Sequence, residues 1–364
     1  MKIDRDELLA ALKAVGISAE ARGVVEATKC VELSALKDGL GLRATNVHSE
    51  TRTSVGCEPP ALEAPVLLNH ARLSTLVGGM PCGEVEVAFG ADVTLAGGTT
   101  RFAMRRTEGE LPAMVTTKPM ASVIVPAATL ARMIGAVERA AGGPDSSRAV
   151  LKSVALDSED GRLAATAADG RRIASVRSGA FAPECEILLP SAFARSLRGI
   201  LAANADAQVT VTADRDTAAF AVGDYLLVRT RLVEGAYVGW RQLRRRTEYA
   251  ATFATRELAD AIRRARLVCD TDGMRRIDLE IGGGRIALTA SGWDGAGRSV
   301  DEVAAKTDAE AIELISANPD IVLDALDALD ADEATLGYDG YGKPFTIRSE
   351  ADGYEGILIP LVNG

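Results

Sequence analysis

Two histidines, His48 and His70, are the whole imidazole supply of this 364-residue chain. Neither is followed at i+3 or i+4 by a residue that ligates metal, so neither reads as half of a helical metal site. Gly282-Gly283-Gly284 lacks the Lys-Ser/Thr that turns a glycine-rich loop into a phosphate cradle, and it reads as a turn between strands. No Gly-x-Ser-x-Gly nucleophile elbow is present. Asp157 and Asp160 form a carboxylate pair in a polar, turn-like stretch, where solvated surface is the ordinary reading. Asp320, Asp324, Asp327 and Asp330 are spaced three and four apart, as on a helix, whereas calcium-loop ligands begin two apart and end in Glu. The five cysteines (30, 57, 82, 185 and 269) are dispersed with no Cys-x-x-Cys, the pattern of reduced, mostly buried thiols in a cytosolic protein. Covalent and metal chemistry therefore find little to work with, and the expectation is a protein without catalytic residues, metal or cofactor.

Binding chemistry is better represented. The formal net charge is −10, which argues against a basic exterior gripping nucleic acid but leaves a local basic lining open. Apolar residues make up 47% and aromatics only 4%, so the cores must rest on Leu, Ile, Val and Ala. The charged start Met1-Lys2-Ile3-Asp4 is unlike a signal peptide, and no apolar run reaches membrane-spanning length. Near the middle, Leu163, Ala165 and Ala167 alternate as in a half-buried strand, Asp169-Gly170 interrupts, and Arg171-Arg172-Ile173 resumes, which predicts a hairpin.

The elements that would hold such groups recur. Leu8, Leu12 and Val15 make an i, i+4, i+7 helix stripe; Leu130, Ile134 and Val137 repeat it 122 residues on, and Leu258, Ile262 and Ala265 repeat it 128 further. A strand pair follows each, marked by Leu40, Leu163 and Ile286 at intervals of 123. A second helix is then expected over Val66–Val77, Ile187–Arg198 and Ile312–Leu326, with Pro near the start of the latter two. Strand signals close each unit: Val85–Phe89 and Arg101–Met104, Gln208–Thr212 and Tyr225–Thr230, Phe345–Arg348 and Gly356–Pro360. The prediction is an α+β chain of three tandem copies, 1–121, 122–246 and 247–364, each of ordinary domain size.

Three β-rich units with two helices each, Ala165-Thr-Ala-Ala-Asp-Gly-Arg-Arg-Ile-Ala174, Arg231-Leu-Val-Glu-Gly-Ala-Tyr-Val-Gly-Trp240, Arg101-Phe-Ala-Met104 and Lys343-Pro-Phe-Thr-Ile347 together resemble the bacterial sliding clamp, the beta subunit of DNA polymerase III, over the full length. The resemblance implies a crescent monomer closing head to tail into a homodimeric ring around double-stranded DNA, bound without regard to sequence. Helices would line the bore. The ring would tether the replicative polymerase, the clamp loader and other motif-bearing proteins in the cytoplasm, on the nucleoid, as a non-catalytic processivity factor.

Carried over residue by residue, the resemblance implies a partner-peptide pocket of Leu151, Ala168, Gly170, Arg171, Arg172, Ile173, Val238, Gln242, Leu243, Ile321, Ile357, Ile359, Pro360 and Leu361. Arg22 matches a DNA-facing arginine of the family. Lys13, Arg72, Arg132, Arg139, Arg195, Arg198, Arg256, Arg263 and Arg264 are the cations on the candidate bore helices. Arg101 and Phe102 would meet Leu267 and Val268 across the dimer seam. Four departures stand out. The family's Pro-x-x-x-Arg is Val238-x-x-x-Gln242, its His is Arg171, its Thr is Ala168, and its Met-Pro-Met-Arg-Leu-like end is Ile359-Pro-Leu-Val-Asn-Gly364. They imply a shifted or weakened peptide preference. The acidic run Asp320–Asp330 would repel DNA if it faced the bore. An interdomain core, solvated helix faces and a clamp-shaped scaffold or decoy that does not encircle DNA remain open as alternatives.

Overall fold

The computed structural model describes residues 1–20, 22–114, 119–184, 186–244, 246–269, 275–292, 297–308 and 312–362. Cys185, and Lys118 and Arg245 within the expected boundaries, lie outside the described residues.

The chain is α+β, and its element order passes three times through one pattern: a strand, a helix, four strands, a helix, three strands. The first pass comprises β1 (Lys2–Asp4), α1 (Arg5–Val15), β2 (Cys30–Leu36), β3 (Gly39–Thr45), β4 (Ser49–Gly56), β5 (Val66–Asn69), α2 (His70–Gly78), β6 (Glu84–Phe89), β7 (Asp92–Gly97) and β8 (Thr100–Arg105). The second comprises β9 (Ala121–Pro126), α3 (Ala127–Val137), β10 (Ser153–Glu159), β11 (Arg162–Ala168), β12 (Arg172–Phe181), β13 (Glu186–Pro190), α4 (Ser191–Ala203), β14 (Gln208–Ala213), β15 (Thr217–Val222) and β16 (Leu226–Arg231). The third comprises β17 (Tyr249–Ala254), α5 (Thr255–Arg266), β18 (Ile277–Gly282), β19 (Arg285–Ser291), β20 (Arg298–Thr307), β21 (Glu313–Ala317), α6 (Pro319–Leu326), β22 (Glu333–Tyr338), β23 (Phe345–Ser349) and β24 (Tyr354–Leu358).

The three helix stripes are what anchor the pattern. Leu8, Leu12 and Val15, then Leu130, Ile134 and Val137, then Leu258, Ile262 and Ala265 are all at most 2% exposed. Each large side chain so buried contributes about 1.5–3 kcal/mol. Asp4 starts α1 by accepting from the Asp6 and Glu7 amides, both at 2.9 Å.

The second helices start later than the spacing predicts. Their expected first turns are strands: β5, β13 and β21. A short continuous apolar run such as Val66-Leu67-Leu68 is compatible with either form, and here each run pairs with a neighbouring strand, β5 with β2, β13 with β10 and β21 with β18. Asn69 and Asn318 then cap the helices, accepting from Arg72 N at 3.0 Å and Asp320 N at 2.8 Å. Pro319 sits in the first helical turn, where no N–H is needed.

The strands form three sheets, ordered β1-β6-β7-β8, β5-β2-β3-β4-β16-β15-β14-β9, and β13-β10-β11-β12-β24-β23-β22-β17-β20-β19-β18-β21. Two compact units follow from them, Met1–Ala131 with Ser196–Leu232, and Arg132–Arg195 with Val233–Gly364. In the first unit β4 pairs antiparallel with β16, and Glu50, 1% exposed, gathers Arg43 at 3.0 Å, Arg52 at 2.8 Å and Arg229 at 3.4 Å across that junction. In the second, β12 pairs antiparallel with β24. In both cases the third strand after a repeat's first helix pairs with the last strand of the following repeat.

Candidate partner-binding site

The expected hairpin of β11 and β12 is present. Ala168 stands opposite Ile173, and Asp169-Gly170 makes the turn, with Gly170 at φ +91°, a conformation that favours glycine. The Asp169 carboxylate fixes the turn by accepting from the Arg171 amide at 2.8 Å and the Arg172 amide at 3.0 Å. β12 then pairs with β24, Arg172 against Leu358 and Ile173 against Ile357. Just beyond, the Ile359 amide donates to Arg171 O at 2.9 Å and the Leu361 amide to Ser316 O at 2.8 Å. The turn and the chain end are thus held side by side.

Arg172 is the most heavily engaged residue of the set. Its Nε donates to Asp169 at 3.0 Å, its Nη1 to Asp324 on α6 at 2.6 Å, and its Nη2 to the Arg139 carbonyl. Arg139 in turn meets Asp324 at 3.3 Å. Ile173, Ile321, Tyr354 and Leu358 border the same cleft, and beside the ion cluster it has room for little more than one water-sized group. Burial pushes the Tyr354 phenol well above its ordinary range, so it stays neutral there.

Exposed apolar side chains occur in the linker and just after β24. Leu243, Ile359 and Val362 are 57, 50 and 60% exposed, which is unusual for branched side chains in one short tract of sequence and one linker. Gln242 is exposed, Val238 half-buried, and Leu151, Ala168, Ile357 and Pro360 buried. The linker carrying Val238 is stiff. Trp240 is 1% exposed, with Arg241 and Arg244 over its ring at 5.1 and 4.6 Å. Arg241 donates to both Asp157 oxygens at 2.9 and 2.8 Å, and Arg244 reaches Glu159 and Glu355, both at 2.5 Å.

The candidate bore cations divide. Lys13, Arg22, Arg72, Arg195, Arg198 and Arg256 are exposed. Arg139, Arg263 and Arg264 are exposed but face carboxylates: Asp324 and Asp327, Asp260 and Asp327, and Asp301, respectively. Arg132 is half-buried and donates to Asp352 O at 3.3 Å. The expected repulsion from the α6 region is accordingly muted, because Asp320 pairs with Arg266 and Arg275, Asp324 with Arg139 and Arg172, and Asp327 with Arg139 and Arg263.

β8 ends its sheet, and β20, inside its sheet, leaves a stretch of one side open among the described residues. β8 pairs only with β7, and residues 298–304 of β20 pair only with β19 among the described residues. On β8, Arg101 is exposed while Phe102 turns toward the core. Beside β20, Leu267 is 84% exposed, and Val268 packs near Gly297.

The residues considered for chemistry have structural employment. His70 Nε2 lies 2.8 Å from Leu12 O, and Gly282–Gly284 turn between β18 and β19. Among the described residues no His, Cys, Asp or Glu group is arranged to hold a metal, and no helix is long and apolar enough to cross a membrane. Sequence reasoning missed Asp324 as a cleft residue and the linker arginines as a group. The signal for the latter was the run Arg241-x-x-Arg244-Arg245-Arg246, which reads simply as a boundary.

Residues 243–360 match the family described as DNA polymerase III beta subunit, C-terminal domain. No curated protein matches the sequence. Among solved structures, the DNA polymerase sliding clamp from Bacillus subtilis is similar over 100% of this chain and 99% of its own, at 20% identity and TM-score 0.90. The beta sliding clamp of C. crescentus, with PEG bound to a putative beta-motif tethering region, has the same coverage at 21% identity and TM-score 0.89. The DNA polymerase III subunit beta of Pseudomonas aeruginosa bound to griselimycin covers 100 and 99% at 17% identity and TM-score 0.90. At these identities the likeness is one of fold.

Proposed function

With residues 243–360 matching the C-terminal domain family of the DNA polymerase III beta protein and the whole chain taking the sliding-clamp fold, we propose that this protein is a DNA sliding clamp. Two copies close head to tail around duplex DNA and tether a replicative polymerase and other motif-bearing partners, including the clamp loader. Its three domains are 1–121, 122–246 and 247–364. It works in the cytoplasm, on the nucleoid, and its action is positional, without a catalytic step.

One observation carries this reading. Strand β4 pairs with β16, twelve strands on, and β12 with β24, again twelve on. The next strand in that series, β20, pairs over residues 298–304 only with β19, and β8 only with β7, among the described residues. A second copy supplies the missing match, β20 of one chain against β8 of the other, with Leu267 and Val268 beside the seam and Arg101 on it. Such a contact is heterologous, and a ring of two closes only if each chain turns through half the circle. Open edges of this length are otherwise an aggregation hazard.

The exposed cations Lys13, Arg22, Arg72, Arg195, Arg198 and Arg256 serve the bore on this reading. Few and solvent-facing, they attract phosphate without fixing a register, which is what sliding needs. The partner peptide seats its apolar residues on Leu243, Ile359 and the surface about Ile173 and Ile357. Val238, Gln242 and Leu361 border it, and Arg171 at the turn is the cation nearest the chain end. The ring is tested by sedimentation at low micromolar concentration. A mass twice the 38.1 kDa of the chain is expected, and a monomer contradicts it.

A further inference from the structure

A cavity of about 680 Å³ lies in the second unit, outside the set of residues carried over from the family. Arg177, Arg241, Arg244, Arg246 and Arg348 line it, against Glu350 and Glu355. Beneath it, the buried Asp157 and Glu159 take up Arg241 and Arg244. Arg177 touches Glu159 and Asp160 only at 3.6 and 3.8 Å. Arg246 and Arg348 make no ion pair among the described residues, and Arg348 is oriented by Thr346 at 3.1 Å and Thr247 at 3.2 Å. The cavity thus holds two guanidinium groups outside any ion pair among the described residues and a third with weak ones, beside a linker already immobilised on Trp240.

Its position indicates what fills it. Side chains alternate along a strand, so Ile173, Ser175 and Arg177 share one face of β12, and Ile357 and Glu355 share the matching face of β24. Ile173 and Ile357 belong to the proposed peptide surface, while Ser175, Arg177 and Glu355 line the cavity. Four residues of strand separate Ile173 from Arg177, roughly 13 Å, a span that about four residues of extended peptide cover.

We propose that the arginine cavity is a second subsite for partner proteins, receiving carboxylates of an acidic segment placed about four residues from the apolar anchor. The assignment rests on the peptide-tethering reading above. Single-stranded nucleic acid fits less well, because Trp240 is 1% exposed with Arg241 and Arg244 over its ring and Tyr354 is 4% exposed, so neither offers a platform for stacking.

The test uses the full chain and three labelled peptides: an apolar anchor with a Gln-Ser flank, the same anchor with a three-residue Asp-Glu flank, and the acidic flank alone. At low salt the acidic flank should tighten binding about fivefold, as two partly exposed ion pairs would, with the gain fading at high salt. Arg246→Gln with Arg348→Gln should abolish the gain and leave the neutral peptide's affinity unchanged, with the fold checked by thermal melting; the single Arg246→Gln variant is the fallback if the pair unfolds. Equal binding of the two anchored peptides overturns the subsite while the apolar surface stands. If neither anchored peptide binds, the tethering reading fails by itself. In that case, binding of the acidic flank alone, lost in the double variant, upholds the cavity, and no binding overturns it. Displacement of the acidic peptide by a single-stranded oligonucleotide at equal concentration also overturns it.

Discussion

The Arg172 guanidinium on β12 donates to the Asp324 carboxylate on α6 at 2.6 Å, bridging residues 152 positions apart in sequence. The contact joins the second repeat to the third, and with Arg139 it fills the cleft bordered by Ile173 and Ile321. An apolar peptide group must therefore rest above the cluster or displace it.

Asp324→Ala tests that relationship. It leaves Arg172, whose side chain is 14% exposed, with only Asp169 as a charged partner among the described residues, and should cost about 1–3 kcal/mol, between an exposed and a buried pair because Asp324 is itself 30% exposed. The emptied cleft should at the same time admit an apolar side chain. A standard Gln-leading clamp-binding peptide should bind the unaltered protein more weakly than it binds an ordinary clamp, and bind Asp324→Ala more tightly. Fluorescence titration with parallel melts reads both effects. An unaltered protein that matches an ordinary clamp's affinity contradicts the filled-cleft account.

Asp157 gives a pH dependence. Burial raises its carboxyl above the ordinary value of 3.8, outweighing the Arg241 hydrogen bonds that act in the opposite direction. The folded chain then holds this proton to higher pH than the unfolded chain does. Its contribution to stability is complete below 3.8 and is lost as pH rises through the raised folded-state value. Asp157→Asn mimics the protonated form. The Tm difference, variant minus unaltered protein, should therefore grow more positive between pH 4 and pH 7. A difference that is flat or falls over that window would show that the Arg241 pair dominates instead.

Leu267 bears on the seam. It is 84% exposed at the end of α5, so Leu267→Asp should leave stability unchanged to within about 0.5 kcal/mol, as for ordinary surface substitutions. In a ring it would bury a carboxylate against the partner's edge, and the variant should sediment at 38.1 kDa. A variant that remains dimeric at low micromolar concentration rules out Leu267 as a seam residue.

Much of this architecture was legible because helices advertise themselves. Leu8-Leu12-Val15 and its two repeats stand at the helical period, and all nine positions are buried. Of the strands at the junctions between repeats, β8, β12, β16 and β24 were marked in the sequence, but β4 and β20 were not. Buried positions of β4 include Ser49, Thr51 and Thr53, and β20 carries Asp301, Glu302 and Lys306, so hydrophobic alternation is absent from the strands that matter most for assembly. The turn at Asp169-Gly170 could be read locally, since Asp and Gly dictate it. The pairing of Arg172 with Asp324 could not, because nothing within either local stretch refers to the other. The resemblance pointed to the proposed peptide surface but not to the ion cluster in its cleft, since the quoted motifs do not include Asp324.

The central claim is topological: this chain encircles DNA. It is tested most directly by loading the protein with a clamp loader onto nicked circular plasmid, washing at high salt, and then linearising the plasmid. Salt screens phosphate contacts but leaves a linked ring in place. The protein should stay on the circle through the wash and leave when the circle is cut. Release in the salt wash, or retention that is indifferent to cutting, would contradict the ring and favour a clamp-shaped scaffold that does not encircle DNA.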